Sequence, residues 1–152
     1  MWYSPFSITS ELPKFSPCQI HQKRDFCLMK PSVLVVDDSE DTRCMIQYFL
    51  VEDYNVVTAA GGATALNLLN AFHPDVIVTD LMMPIMDGMS LIKALKKSKT
   101  CRNIPVIILS GFVDCYPEEV VQAGVTVVLK KPEGTLRLAE TIKQVLMQSH
   151  SG

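Results

Sequence analysis

Short apolar runs alternate with amphipathic segments from residue 32 onward. The runs are rich in Val and Ile and contain five residues at most, which is typical of strands buried on both faces of a parallel sheet. They predict five strands, at 33–36, 55–58, 75–79, 105–109 and 125–129. Each strand is followed by a segment that predicts a helix. Five such repeats in about 120 residues predict an α/β fold, a doubly wound parallel sheet with helices on both faces.

The predicted helices carry apolar residues at helical spacing and have recognisable ends. Ser39 is a candidate N-cap, Pro117 suits a first helical turn, and Gly124 suits a helix C-terminus. The apolar stripes predicted to face the core are Met45, Phe49 and Leu50 in segment 40–51, Leu91, Ile92 and Leu95 in the third helix, and Leu136, Ala139, Ile142, Val145 and Leu146 in segment 133–148.

Residues 1–30 do not share this pattern. They contain three prolines and five aromatic residues, without helical or alternating periodicity and without the apolar core of a signal peptide. We interpret them as an N-terminal extension that is disordered or untranslated, with Met29 as a candidate start, and residues 31–150 as the functional domain. The alternative is a small docking tail that uses its aromatic side chains.

Charge, hydropathy and cysteine content exclude several classes of function. Residues 31–152 hold 14 acidic and 10 basic side chains, so their net charge of −4 gives no overall attraction for nucleic acid. No stretch approaches the ~18 apolar residues of a membrane span. The five cysteines lack zinc-site spacing and indicate a reduced, cytoplasmic protein. A basic run lies on and after the third predicted helix, and we interpret it as a solvated face rather than a nucleic-acid patch: Lys93, Lys96, Lys97 and Lys99.

Acidic, hydroxyl and amino side chains follow four of the five predicted strands. Asp37 and Asp38 follow the first strand, and Asp80 follows the third. Ser110 and Lys131 follow the fourth and fifth. Because ligands of open α/β sheets bind at the carboxyl ends of the strands, these side chains are expected to form one site. Three carboxylates call for a hard cation such as Mg²⁺, and a Lys ammonium can hold a phosphoryl oxygen. The set favours phosphoryl transfer onto a carboxylate, with Asp80 as the best acceptor.

Four stretches of the chain resemble the receiver domain of two-component response regulators. They are VLVVDDSEDTR (33–43), DVIVTDLMMPIMDG (75–88), PVIILSG (105–111) and VVLKKPEGTL (127–136). Their order and spacing match the family, and the resemblance covers about residues 31–148. It implies a flavodoxin-like sheet with strand order 2-1-3-4-5.

The resemblance assigns the phosphorylation and metal sites. It implies that Asp80 is the phosphorylated residue and that Mg²⁺ is the cofactor. Asp38 would bind the metal directly, and Asp37 would help through the metal's water shell. Asp80 would also belong to the metal site. The backbone carbonyl of Met82 would be a further ligand.

The resemblance also assigns the groups that respond to the phosphoryl group. Ser110 would hydrogen-bond it, and Lys131 would pair with Asp80 or its phosphate. Lys130 is the rival for that role, but in the family the lysine directly precedes Pro, here Pro132, and the bond between them is cis. Val128 stands where the family usually has Tyr or Phe, so the aromatic half of the usual switch is substituted.

These assignments imply a stand-alone phosphoprotein of a two-component system or phosphorelay. Its partner would be a histidine kinase or a histidine phosphotransfer protein. A downstream protein would bind the surface of helix 4, strand 5 and helix 5, with no direct contact to nucleic acid or membrane. It would not be an enzyme beyond Mg²⁺-dependent self-phosphorylation and self-dephosphorylation. The alternatives are a phosphate-independent binding module or a hydrolase of another aspartyl-phosphate family, although Met82 stands where such hydrolases usually carry a second acid.

Overall fold

Five strands and five α-helices alternate along the part of the chain that the computed structural model describes, residues 30–115 and 117–149. The strands are β1 (Ser32–Val36), β2 (Asn55–Ala59), β3 (Val76–Thr79), β4 (Val106–Ser110) and β5 (Val127–Lys130). The helices are α1 (Glu40–Leu50), α2 (Gly62–Leu68), α3 (Gly88–Lys97), α4 (Pro117–Gln122) and α5 (Glu133–Ser149). A short 3-10 turn, Val113–Cys115, precedes α4. Apart from residue 30, the extension predicted for residues 1–30 lies outside the described residues.

All neighbouring strands in the sheet are parallel, and their order is β2-β1-β3-β4-β5. The order 2-1-3-4-5 implied by the sequence is therefore confirmed. The winding direction of the chain reverses at β1 and β3, which creates the crevice where ligands of this architecture bind. Because Val36 pairs with Thr79, the residues that follow β1 and β3 emerge side by side.

The sheet separates two hydrophobic cores. Successive strand side chains point to opposite faces, so β1 contributes Leu34 and Val36 to one core and Val33 and Val35 to the other. The first core is closed by α2, α3 and α4, and the second by α1 and α5. Strands β3 and β4 are buried along their whole length, as their Val and Ile content predicts. Within the described ranges, no helix is both long and apolar enough to cross a bilayer.

The predicted core-facing stripes are correct for α3 and partly wrong for α1 and α5. Leu136 is 81% exposed, and Met45 and Phe49 are 43% and 48% exposed. In α1 the buried face lies one residue further along than predicted, whereas in the first turns of α5 it lies one residue earlier, because the 3.6-residue period sets which side of each helix meets the sheet. The buried residues are Ile46 and Leu50 in α1 and Gly134, Thr135, Leu138, Ile142, Val145 and Leu146 in α5.

Strand β5 begins two residues later than the apolar run predicts. Gly124 adopts φ +69° after α4, as expected for a glycine that ends a helix. The Thr126 N–H donates to the Val106 carbonyl at 2.9 Å, and the paired ladder then starts with Val127 opposite Ile107. The β-branched residues before Val127 therefore belong to the connection rather than to the strand.

Candidate functional site

Three carboxylates meet where β1 and β3 end. Asp37 and Asp38 follow β1, and Asp80 follows β3. The Asp80 N–H donates to the Val36 carbonyl at 3.0 Å, which carries the parallel pairing one residue past β3. Carboxylate oxygens of the three aspartates lie within 4.8 Å of one another. The strand register alone therefore assembles the acidic cluster that the sequence predicts.

Asp37 is held rigidly beneath the surface. Its side chain is buried, with one oxygen accepting from the Ser39 N–H at 2.9 Å and the other from Lys131 Nζ at 2.7 Å. Ser39 in turn caps α1, because its hydroxyl accepts from the Thr42 N–H at 3.3 Å. Asp38 is exposed at the mouth of the same crevice. The pair thus consists of one fixed carboxylate and one that faces solvent.

Asp80 is oriented by the backbone that follows it. Its Oδ1 accepts from the N–H groups of Leu81 at 2.6 Å and Met82 at 3.3 Å, and its Oδ2 accepts from Lys131 Nζ at 3.1 Å. The Thr79 hydroxyl donates to the Asp80 carbonyl at 2.9 Å. The Asp80 side chain is 12% exposed. The carboxylate is therefore fixed in direction and still reachable from solvent.

A single ammonium group bridges two of the carboxylates. Lys131 contacts both Asp37 and Asp80. Burial by itself lowers the pKa of Lys131, but the hydrogen bonds and charges of the two aspartates outweigh burial and raise the pKa above its ordinary value. Lys131 is therefore a firmly held cation. Lys130 points away and pairs with Asp114 on the exposed surface, which agrees with the alternation of side chains along a strand.

Ser110 lies at the end of β4, next to the strand that precedes Lys131. It is fully buried, and its Oγ accepts from the Phe112 N–H at 3.3 Å. Its carbonyl accepts from the Lys131 N–H at 3.1 Å, so the two residues are joined through the main chain. The Lys131–Pro132 peptide bond is cis, as the resemblance implies.

The charges of the site do not balance. Three carboxylates share the crevice with one ammonium, and like charges this close destabilise one another. Clustered carboxylate oxygens that face solvent on one side are the ligands that a hard divalent cation prefers. The residues present therefore fit a metal site of the kind that the sequence predicts.

Comparison with known families agrees with this geometry. The family model described as the response regulator receiver domain matches residues 33–143 of this chain. The chain belongs to the response regulator receiver family. The resemblance read from the four motifs is thereby confirmed, and members of this family are generally phosphoacceptors without enzymatic turnover of external substrates.

Known receivers similar to this one occur alone and within larger kinases. The chain is 32% identical over 120 residues to the polar-differentiation response regulator DivK of Brucella ovis, covering 78% of this chain and 98% of DivK. It is 38% identical over 105 residues to the sensor histidine kinase TmoS of Ectopseudomonas mendocina, but spans only 10% of that protein. The structure of the chemotaxis response regulator CheY4 of Vibrio cholerae superposes with a TM-score of 0.71 at 32% identity, covering 77% of this chain and 99% of CheY4.

Arg43 is a residue of this receiver's site that the sequence analysis did not single out. Its guanidinium donates to the carbonyl oxygens of Asp37 at 2.7 Å and Asp38 at 3.1 Å. It therefore clamps the loop that presents both carboxylates. The available signal was its position, since it lies one helical turn after the Ser39 cap and its N–H bonds the Ser39 carbonyl.

The loop that follows Asp80 contains a strained residue, Ile85. Its φ is +71°, and its side chain is fully exposed. A β-branched side chain is disfavoured in this left-handed region by roughly 1–2 kcal/mol, whereas Asn tolerates it. Because no packing is lost, we expect Ile85→Asn to raise the free energy of unfolding by about 0.5–1 kcal/mol. Urea denaturation followed by circular dichroism measures the change.

Ile85→Val is the matched control for this prediction. Val keeps the β-branch and the strain, so its stability should equal that of the parent within about 0.3 kcal/mol. A gain of equal size in both variants would contradict the prediction, because Val keeps the backbone strain that Asn is expected to relieve.

Proposed function

We propose that this receiver accepts a phosphoryl group on Asp80 from the phosphohistidine of a histidine kinase or histidine phosphotransfer protein. The observation that carries the proposal is the Asp80 carboxylate itself, reachable from solvent and oriented by two backbone N–H groups, with the Lys131 ammonium 3.1 Å from one of its oxygens. An acceptor, a fixed positive charge and two further carboxylates are the groups that in-line phosphoryl transfer requires.

The reaction would use few groups of the protein. A carboxylate oxygen of Asp80 attacks phosphorus, the bond from phosphorus to the donor nitrogen breaks, and the departing imidazole keeps the electron pair and takes up a proton. The N–H groups of Leu81 and Met82 hold the carboxylate in direction. Lys131 is close enough to follow the negative charge from the carboxylate to the phosphoryl oxygens.

Asp37, Asp38, Asp80 and the backbone carbonyl of Met82 are the groups that we expect to hold Mg²⁺. When bound, the ion would offset the repulsion between the carboxylates and neutralise charge on the phosphoryl oxygens. Asp37 is already fixed by Ser39 and Lys131, so it suits the role of an outer ligand that acts through water. Exposed Asp38 suits direct binding.

The output of the signal would begin at Ser110. Its Oγ can keep accepting from the Phe112 N–H while its own O–H donates to a phosphoryl oxygen, so binding would draw the connection between β4 and α4 toward Asp80. We propose that a downstream protein reads this change on the surface of α4, β5 and α5. Val128 lies exposed on β5 at the family's aromatic position, and its side chain is too short for the usual inward swing.

The proposal includes residues 31–150 as the functional unit, signalling in the cytoplasm by contact with other proteins. It disfavours a hydrolase acting on external phosphate esters. Such an enzyme would need an acid near Asp80 to protonate the leaving group, and the side chain two residues later is Met82.

Incubation with acetyl phosphate and Mg²⁺, followed by intact-mass measurement, tests the proposal. We expect the gain of one phosphoryl group, lost in Asp80→Asn and in the presence of EDTA. Asp75→Asn is the matched control, because Asp75 lies at the opposite end of the same strand, where its carboxylate accepts from the Ser32 N–H at 2.7 Å and from the Ser32 hydroxyl at 2.9 Å. This variant should be phosphorylated like the parent.

Three outcomes would contradict the proposal. Phosphorylation that persists in Asp80→Asn would place the acceptor elsewhere. An unchanged mass under all conditions would favour a binding module that works without phosphate. Steady release of phosphate from a generic ester would favour the hydrolase.

A further inference from the structure

Basic side chains are concentrated in one part of this acidic domain. Residues 88–113 contain five basic residues and no acidic one: Lys93, Lys96, Lys97, Lys99 and Arg102. The remainder of residues 31–152 contains five basic and 14 acidic residues. The domain therefore combines a negative body with one cationic region that is formed by α3 and the loop after it.

Three of these lysines line a groove between α3 and α4. The groove encloses about 410 Å³. The Lys96 ammonium reaches past the end of α3 and donates to the Arg102 carbonyl at 3.3 Å. The lining residues are Lys93, Lys96 and Lys97 of α3, with Glu119 and Gln122 of α4 and Ala123 after it.

None of the three lysines in the groove forms an ion pair within the described part of the chain, since no carboxylate there lies within 4.0 Å of the ammonium groups of Lys93, Lys96 or Lys97. Glu119 of α4 also lines the groove, so three ammonium groups face one carboxylate that lies beyond this distance. The negative end of the helix dipole favours Lys96 and Lys97 in the last turn of α3. It does not account for Lys93, which lies three and four residues before them and repels both.

We propose that this groove, defined by Lys93, Lys96 and Lys97 with the facing wall of α4, binds an acidic segment of a protein partner. Charge complementarity identifies the occupant, since carboxylates of such a segment would neutralise three adjacent ammonium groups. A long nucleic acid fits less well, because the acidic body of the domain would repel its phosphates beyond the groove. The lysines lie toward the C-terminal end of α3, whereas Gly88 at its other end adjoins the Asp80 loop. The groove is thus separate from the phosphoacceptor site.

Fluorescence anisotropy with a labelled peptide of alternating Glu and Ala tests this proposal at low ionic strength. We expect saturable binding that the double variant Lys93→Glu with Lys97→Glu weakens by about tenfold or more. Lys143→Glu is the matched control, since Lys143 is exposed on α5 at the other face of the sheet, and it should change the affinity by less than about twofold. Amide chemical shifts should change along α3 and α4.

Other results would overturn the proposal. The peptide could fail to bind saturably, or Lys143→Glu could weaken peptide binding as much as the double variant does. The changes in amide chemical shift could also be centred away from α3 and α4. Tighter binding of a single-stranded oligonucleotide than of the acidic peptide would instead make the groove a nucleic-acid site. Because the assay uses unphosphorylated protein, its result is independent of whether Asp80 accepts a phosphoryl group.

Discussion

Lys131→Met is expected to lower the rate of phosphorylation by acetyl phosphate about 100-fold, whereas the neighbouring Lys130→Met leaves it within about twofold. The reason is geometric. The Lys131 ammonium contacts carboxylate oxygens of Asp37 and Asp80 at 2.7 and 3.1 Å, so a positive charge is already in place where negative charge develops during transfer. Lys130 pairs with Asp114 on the exposed surface and has no such contact.

The measurement is the initial rate of mass gain at a fixed concentration of acetyl phosphate and saturating Mg²⁺. Methionine preserves much of the unbranched stem, so the loss isolates the charge. Because Lys131→Met leaves Asp37 and Asp80 without their common cation, thermal melting with Mg²⁺ verifies that the variant is folded under the assay conditions. Equal rates for Lys131→Met and the parent would remove Lys131 from the transfer step, and equal losses in both lysine variants would indicate a general electrostatic effect.

The choice between the two lysines shows how far sequence reasoning reaches. Alternation along a strand requires that only one of them face the site, and the residue before Pro132 is the one that does. The acidic cluster was predictable for a related reason. Parallel strands end at one edge, so Asp37 and Asp80 had to meet once β1 and β3 were neighbours. The Val and Ile runs predicted the strands themselves, because few other elements bury both faces.

Contacts made by the main chain were not predictable in the same way. Arg43 binds two carbonyl oxygens, and nothing in the periodicity of α1 marks one polar residue of that helix as a clamp. The apolar character of Leu136 predicts a core position, yet the phase of α5 turns its side chain to solvent. Ile85 has a positive φ that its residue type argues against. These features depend on how loops and helices pack against each other, and the spacing of apolar and polar residues along the sequence does not determine that packing.

Gly88→Ala is expected to reduce the free energy of unfolding by about 2–4 kcal/mol, because the added methyl has no space. A Cβ at this position would lie 2.0 Å from the Asp80 carbonyl oxygen and 2.9 Å from the Leu81 Cα. Both are backbone atoms, so no side chain can turn away to relieve the clash. The Gly88 N–H also donates to the Leu81 carbonyl at 2.9 Å, which brings the start of α3 against the phosphoacceptor loop. Chemical denaturation measures the loss.

Gly61→Ala is the control, since its backbone is extended and a Cβ there meets nothing within 4 Å. Its stability should stay within about 0.5 kcal/mol of the parent. The clash in Gly88→Ala should also affect the phosphoacceptor site. A shift of Leu81 would displace the N–H group that donates to Asp80 Oδ1 at 2.6 Å. We therefore expect the folded fraction of Gly88→Ala to be phosphorylated more slowly. If Gly88→Ala proved as stable as Gly61→Ala, the loop and α3 would be able to move apart at little cost. The conclusion that Asp80 is held rigidly by this loop would then be wrong.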